Sequence, residues 1–263
     1  MDPGGRRLAL LLEYDGTGFA GSQSQPADRT VQDIVEEALA AFTGERQRIA
    51  LAGRTDAGVH ANGQVAALRT ATAHSAATFR EALNHFLPED VAVRAVAEVA
   101  DGFDPRRHAV SRRYRYRIDH GRVRSPLSRH RAWQVEQRLD LPAMAQALER
   151  LPAGPGTGFR DWAAFAGAVP AGYPTVRTLL EARLEQRDEH RADVWLEADG
   201  FLPHQVRRMV GALARVGRGR LTPGEYAALV DGPPASAGPA APPQGLTLVT
   251  VRYPPGTVEW KLD

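Results

Sequence analysis

The chain contains no cysteine, and Lys261 is the only lysine among its 33 basic residues. Without cysteine, disulfides, thiolate nucleophiles and cysteine-ligated zinc are excluded. Long apolar runs are also missing, since only the five residues Leu8–Leu12 separate the charged N-terminal segment from Glu13. This short run suits a strand rather than a secretory signal, and no run in the chain approaches the length of a membrane span. We therefore expect a cytoplasmic protein.

Several catalytic motifs are missing as well. The chain has no Gly-x-x-x-x-Gly-Lys phosphate loop, no His-Glu-x-x-His motif and no Gly-x-Gly-x-x-Gly after a predicted strand. The zinc deaminase pattern requires cysteines and is excluded with them. The histidines lack the spacing of metal ligands, so we predict no metal site; those considered are His60, His85, His108 and His204.

The basic residues are distributed unevenly. The net charge is +2, but ten arginines and one acid, Asp119, lie between Arg106 and Arg131. This stretch, the basic stripe, has a balance of +9, so the remainder of the chain sums to −7. An acidic body with one basic stripe indicates a polyanionic partner that binds at one place.

The first half of the chain predicts the element order βαββαβ, which is typical of a ferredoxin-like unit. An N-cap at Thr30 and a stop at Gly44 bound the first helix, and Ser75 and Pro88 bound the second. Strands are predicted at 8–14, about 47–52, 63–70 and 91–99.

The second half repeats this order without repeating the sequence. We predict strands at 112–119, 176–186, 191–199 and 246–251, and helices at about 140–151 and 204–216. A Pro/Ala/Gly-rich linker at 231–243 is assigned no structure. The fold class is therefore α+β, with ferredoxin-like halves at 1–106 and 107–263. Their antiparallel sheets are expected to join edge to edge around a central cleft.

Residues 53–61 form a predicted loop that contains the main candidate for a catalytic residue. Two apolar runs flank the loop, which predicts a connection between two strands. Gly53 and Gly58 bracket the single carboxylate Asp56 and can take positive φ. Such a loop can hold one acid rigidly at the rim of a cleft. The plainer alternative is an aspartate that accepts hydrogen bonds from its own turn.

Aromatic and basic residues alternate in 112–117, which places tyrosines on one face of a strand and arginines on the other. RNA bases stack on tyrosine rings while arginines follow the phosphates. The alternative is an amphipathic strand with its tyrosines in the core. We favour the core for Tyr116 and stacking for Tyr114.

The helix predicted at 204–216 has an apolar stripe with Arg207 at its margin. The stripe consists of Val206, Met209, Val210 and Leu213. An arginine at the margin can turn into a cleft and pair with a carboxylate, which makes Arg207 the candidate partner of Asp56. A solvated helix residue is the alternative.

Residues 53–60 resemble the signature loop of the bacterial tRNA pseudouridine synthases of the TruA type. Other matches to that family follow in the same order along nearly the whole chain: Tyr14-Asp15-Gly16-Thr17 with Phe19, Gly21 and Gln23; Thr30-Val31-Gln32; Ala82-Leu83-Asn84 to Leu87-Pro88; Arg113 to Tyr116; Phe201 with His204, Val206-Arg207 and Gly211; and Gly245-Leu246 with Tyr253-Pro254. One position departs from the family, because Ser22 stands where the family usually has tryptophan.

The resemblance implies that the chain isomerises uridine to pseudouridine at positions 38 to 40 of the tRNA anticodon arm, without a cofactor. It implies Asp56 as nucleophile, Tyr114 as the base-stacking tyrosine and Arg207 as the arginine that pairs with the carboxylate. The carboxylate can attack ribose C1′ or add to uracil C6.

The target base must leave its stem, and Arg54 is expected to fill the gap. The other expected tRNA contacts are Phe103, Arg106, Arg107, Arg112 and Arg113. The resemblance also implies a homodimer that binds tRNA across both subunits. The alternative function is a non-catalytic RNA-binding protein with two ferredoxin-like halves.

Overall fold

The computed structural model of the chain describes residues 5–121 and 123–261. The chain divides into two compact units. The first unit runs to Val110 and also includes the chain from Leu248 onward, whereas the second unit is Ser111–Thr247. The division falls close to the predicted boundary at residue 106. The C-terminal segment from Leu248, which was predicted as part of the second half, falls in the first compact unit.

The first unit contains the predicted order of strands and helices. Its elements are β1 (Arg6–Tyr14), α1 (Val31–Thr43), β2 (Ala50–Leu51), β3 (His60–Thr70), α2 (Ala76–Phe86) and β4 (Val91–Val99). β1 lies between β3 and β4, and both pairings are antiparallel. The short β2 is antiparallel to β3.

The helix boundaries in the first unit follow from side-chain caps. Thr30 and Ser75 each accept a hydrogen bond from the backbone N–H three residues later, and α1 ends at Gly44 in the left-handed conformation with φ 74°. These caps satisfy N–H groups that a helix start leaves unpaired. Both helix starts and the stop at Gly44 were predicted and are confirmed.

Apolar residues from β1 and both helices form the core of the first unit. The fully buried side chains include Leu8, Leu10, Leu12, Val35, Leu39, Phe79 and Leu83. Burying one leucine contributes about 2 kcal/mol relative to leaving it exposed. Phe86, the last residue of α2, is 46 % exposed.

The second unit is also α+β and mostly antiparallel. Its elements are β5 (Ser111–His120), β6 (Trp133–Val135), α3 (Leu141–Glu149), β7 (Phe159–Asp161), β8 (Val176–Gln186), β9 (Arg191–Ala198), α4 (Gln205–Gly217) and α5 (Pro223–Ala228). The strand order is β5-β9-β8-β7, and β6 pairs in parallel with β5. The short elements β6, β7 and α5 were not predicted.

The last strand, β10 (Leu246–Arg252), begins in the second unit and continues in the first, where it pairs with β3. Because Gly63 has no side chain, β10 can approach β3 closely. A Cβ built at Gly63 would lie 2.5 Å from the carbonyl oxygen of Val249. This pairing explains why the C-terminal segment belongs to the first unit. The ferredoxin-like description of both halves and their joining edge to edge stay predictions.

The segment predicted as a linker is packed rather than free. Residues 232–242 have no regular secondary structure, yet Ala237 and Ala241 are at most 2 % exposed. The backbone N–H of Ala237 donates to Ala164 at 3.0 Å. Composition alone did not reveal this, because small residues serve close packing as well as flexibility.

No helix in the described part of the chain combines the length and apolar character needed to cross a bilayer.

Substituting alanine at two helical glycines tests the packing of the linker segment against α4. A Cβ at Gly211 of α4 would lie 2.3 Å from the carbonyl oxygen of Pro239, whereas a Cβ at Gly224 of α5 meets nothing within 4 Å. We expect Gly211→Ala to lower the free energy of unfolding by about 1–3 kcal/mol. Gly224→Ala should raise it by about 0.5–1 kcal/mol, because alanine favours the helix.

Urea unfolding monitored by circular dichroism measures both variants. Equal stability of the two variants would contradict the close contact at Gly211.

Candidate active site

Asp56 lies in the loop between β2 and β3, as the sequence predicts. The Asp56 carbonyl accepts a hydrogen bond from Val59 N–H at 3.1 Å, and Gly58 has φ 77°. The Asp56 side chain is half-buried and that of Arg54 is exposed. Gly53 was also expected to use positive φ but is not among the residues that do.

The side chain of Gln64, on β3, fixes the beginning of this loop. Its amide Nε2 donates to the carbonyl of Gly53 at 2.7 Å, and its Oε1 accepts from Gly53 N–H at 3.3 Å. Gln64 is completely buried. These two hydrogen bonds from the Gln64 side chain take the place of strand pairing at Gly53, where the chain leaves β2. Gly53 is held there without a positive φ.

The segment after β1 lies directly against the Asp56 loop. Gly21 and Asp56 form an isolated antiparallel bridge. Ser22 N–H donates to the Thr55 carbonyl at 3.0 Å, and Thr55 N–H donates to Ser22 Oγ at 2.8 Å. Gly21 has φ 124°, and a Cβ there would lie 3.0 Å from the Thr55 carbonyl oxygen. The approach of the two backbones therefore requires glycine at this position.

A buried polar cluster lies under the same loop. The Tyr14 hydroxyl is 2.8 Å from Thr55 Oγ1 and accepts from Gln64 Nε2 at 3.4 Å. Burial raises the pKa of Tyr14, and hydrogen bonds with Thr55, Gln64 and Ser22 offset only part of that rise. The phenol is therefore neutral near pH 7, and the cluster is a network of uncharged groups.

The end of the loop is held by His60, the first residue of β3. Its Nδ1 lies 3.0 Å from Gly16 N and 3.1 Å from Asp15 Oδ1. Because the Gly16 N–H can only donate, Nδ1 acts there as an acceptor. These two contacts hold the end of the loop against the segment that follows β1.

In the second unit, both tyrosines of β5 are buried. Tyr114 is 8 % exposed, and its ring packs edge-on against Phe201 with the centroids 5.4 Å apart. Tyr116 is completely buried and donates from its hydroxyl to the Pro242 carbonyl at 2.7 Å. The prediction that Tyr116 belongs to the core is confirmed. Stacking of a base on Tyr114 stays a prediction.

Arg207 lies on α4, where the predicted apolar stripe is confirmed, since all four of its residues are buried. The Arg207 side chain is half-buried, and its Nε donates to the Ala241 carbonyl at 2.8 Å. Ala241 N–H returns a 2.8 Å bond to the Arg207 carbonyl. The charge of Arg207 offsets part of the rise in the pKa of Tyr116 that burial causes.

Arg113, Arg115 and Arg117 face opposite to the tyrosines of β5, as predicted, whereas Arg112 shares the tyrosine face. Acidic residues of β8 and β9 accompany the arginines on the opposite face. Arg113 lies 3.0 Å from Glu181 and 3.8 Å from Glu197, and its guanidinium stacks over Trp195. Arg117 lies 3.5 Å from Asp193. These acids offset much of the positive charge on the strand.

The N-terminal end of the basic stripe belongs to the first unit. Asp104 accepts hydrogen bonds from the backbone N–H groups of Arg106 and Arg107, and both arginine side chains are exposed. Phe103, predicted as a tRNA contact, is 2 % exposed and packs on Tyr253 with the centroids 5.3 Å apart. The exposed arginines of this turn therefore follow directly on a buried aromatic contact, that between Phe103 and Tyr253.

The predicted site residues are thus divided between the two units. The first unit contains Arg54, Asp56, Phe103, Arg106 and Arg107; the second contains Arg112, Arg113, Tyr114 and Arg207. Arg112 donates from its guanidinium to the Asp199 carbonyl at 2.7 Å. The described residues contain no group of three or more acidic or histidine side chains placed to hold a metal ion.

Sequence reasoning did not identify the residues that support the Asp56 loop. Gln64 lies within a strand pattern and gave no signal. Ser22 was noticed only as a departure from the family resemblance.

The chain is similar to known proteins over nearly its whole length. The model of a family described as tRNA pseudouridine synthase matches residues 11–106 and 157–254. A tRNA pseudouridine synthase A from Chloroflexus aurantiacus is 46 % identical over 259 residues, which cover 97 % of this chain and 91 % of that protein.

Two further relatives have the same name. The protein from Geobacter sulfurreducens is 45 % identical over 249 residues, covering 94 % of this chain and all of the relative. The protein from Myxococcus xanthus is 41 % identical over 252 residues, with coverage of 95 % and 93 %. The extent of these matches shows that the chain belongs to the tRNA pseudouridine synthase family of isomerases.

Proposed function

We propose that this chain converts uridine to pseudouridine in tRNA and that Asp56 is the nucleophile. The main support is the burial and the backbone hydrogen bonding of Asp56, which is the one acid in the loop that resembles the family signature. Its carboxylate is half-buried while the backbone on both sides of it is hydrogen-bonded. A partly exposed acid on a fixed backbone is suited to attack on a substrate carbon, since catalysis rewards fixed geometry.

The isomerisation requires one carboxylate rather than two. If the carboxylate attacks ribose C1′, the bond from C1′ to N1 breaks and uracil leaves with the electron pair. The uracil turns, its C5 attacks C1′, and the ester bond to Asp56 breaks, which restores the carboxylate. The proton on C5 is lost to a base or to water, and N1, which left with the electron pair, takes up a proton, so the product is an isomer of the substrate. Addition to C6 is the other route. No water attacks the sugar in either route, so the second carboxylate of a glycosidase is not needed.

The remaining site residues bind the substrate in this proposal. Arg54 is exposed beside Asp56 and fills the space of the flipped uridine. Tyr114 supports the base, and Arg207 provides a positive charge. The target is the anticodon arm at positions 38 to 40, as the family resemblance implies, and a tRNA substrate places the reaction in the cytoplasm. The enzyme acts as a homodimer on a scaffold of two ferredoxin-like halves.

The exposed turn at Arg106 and Arg107 binds tRNA phosphates in this proposal. Both side chains are exposed, and Arg107 lies 3.8 Å from Asp104. Arg113 is less exposed and lies between Glu181 and Glu197. Arg112 and Arg113 therefore contribute less to the salt dependence of binding. Phe103 acts by supporting the turn, because its ring is buried.

Asp56→Asn separates an isomerase from a non-catalytic RNA-binding protein. The substitution keeps the shape of the side chain but removes the nucleophile, so pseudouridine formation in unmodified tRNA should fall by a factor of about 10⁴ or more. The dissociation constant for tRNA should change by less than about threefold, because the lost charge is a single anion.

Asp101→Asn is the matched control, since Asp101 is 67 % exposed and lies outside the loop. The control should retain wild-type turnover. Turnover by purified Asp56→Asn would refute the nucleophile, and wild-type protein that binds tRNA without forming product would favour the RNA-binding alternative.

Replacing both Arg106 and Arg107 with glutamine tests the phosphate-binding turn. Each lost phosphate contact should reduce the slope of log affinity against log salt by roughly 0.7–0.9. Fluorescence anisotropy with labelled tRNA between low and moderate salt measures the slope.

The control for this variant replaces Arg46 and Arg48 with glutamine, which changes the net charge equally. Arg48 is 69 % exposed and pairs with Glu36 and Asp33 in the first unit. Equal slopes for the two double variants would contradict a specific role for the turn.

A further inference from the structure

Ser22 occupies an unusual place for a polar side chain, because it is completely buried against the proposed catalytic loop. Its backbone N–H donates to the Thr55 carbonyl at 3.0 Å, and its Oγ accepts from Thr55 N–H at 2.8 Å. The two bonded groups belong to the peptide units on either side of Thr55. Both peptide units that lead into Asp56 are therefore held by one residue.

The Ser22 hydroxyl also has a hydrogen available after it accepts from Thr55. Thr55 and Gln64 hydrogen-bond with the Tyr14 hydroxyl, and Ser22 is close enough to that hydroxyl to lower the pKa of the phenol. A serine hydroxyl can donate once and accept twice, which suits a position between an N–H donor and a phenol. The hydroxyl thus bonds to the Asp56 loop and lies beside the buried polar cluster.

The chemistry of the side chain at position 22 matters because Thr55 N–H needs an acceptor. An alanine provides none. A tryptophan, the residue implied here by the family resemblance, has an indole N–H that only donates. A thiol has a similar shape to the hydroxyl but is a weak acceptor. Among these side chains, only serine accepts strongly from Thr55.

We propose that the Ser22 hydroxyl is a positioning group for the reaction at Asp56, acting through the backbone of Thr55. The proposal rests on the proposed function. Without the hydroxyl, the peptide unit between Arg54 and Thr55 gains freedom, and the Asp56 carboxylate is displaced from its line of attack. Small displacements of a reacting group reduce rates strongly because the productive geometry is narrow.

The test compares Ser22→Ala with wild type in steady-state pseudouridine formation on an unmodified tRNA transcript. We expect kcat to fall by about 10- to 100-fold. KM for tRNA should change by less than about twofold, because Ser22 is buried and reaches no phosphate. The melting temperature is measured alongside, so that a loss of folded protein is recognised.

Two further substitutions separate hydrogen bonding from packing. Ser22→Cys keeps the shape and should lose kcat as Ser22→Ala does, whereas Ser22→Thr keeps a hydroxyl and should recover most of it. Ser24→Ala is the matched control, since the hydrogen bond of Ser24 to Gln32 uses its backbone N–H. The control should keep wild-type kinetics.

Hydrogen exchange at the Thr55 amide, followed by NMR, provides a readout independent of catalysis. Exchange should be at least about tenfold faster in Ser22→Ala than in wild type and unchanged in Ser24→Ala. Wild-type protein that forms no pseudouridine would refute the proposed function, and amide exchange would still decide whether Ser22 fixes Thr55.

Three results would overturn the positioning role. The first is wild-type kcat in folded Ser22→Ala. The second is a loss of activity that follows the melting temperature alone, and the third is Thr55 exchange as slow in Ser22→Ala as in wild type.

Discussion

Two hydrogen bonds between Ser22 and Thr55 restrain the backbone next to the half-exposed carboxylate of Asp56. An aspartate at the rim of a site cannot be fixed by burial, because the substrate must reach it. In this chain the restraint is applied to the backbone instead, with Ser22 on one side and Gln64 at the start of the loop. The backbone that carries the carboxylate is therefore held, while the residue itself stays partly exposed.

In the second unit, acidic side chains restrain the arginines of β5 and offset part of their charge. The sequence of β5 is strongly basic. In the sheet, however, Glu181, Asp193 and Glu197 lie beside its arginines. Stacking of Arg113 on Trp195 orders the guanidinium further. Such charges are held in place and partly neutralised. The side chains of Arg106 and Arg107, in contrast, are exposed.

Much of the local structure could be predicted from the sequence, because caps and periodicity act over a few residues. Thr30, Gly44 and Ser75 bound their helices as expected. The contacts that hold the candidate site could not be predicted, because they depend on the register between distant segments. Thirty-three positions separate Ser22 from Thr55. The partner of the Arg207 Nε is Ala241, in a segment whose composition indicated only a linker.

The return of β10 to the first unit has a consequence for synthesis of the protein. The strand that completes the β3 edge is encoded after the whole second unit, which is continuous from Ser111 to Thr247. On the ribosome, domains fold as their residues emerge, so the second unit can finish folding first. Until β10 has emerged, the part of β3 that pairs with it has unpaired backbone N–H and C=O groups. Such an exposed strand edge can pair with the wrong strand or with another chain. The interval in which this part of the β3 edge is open therefore lasts until β10 has been synthesised and can pair with β3.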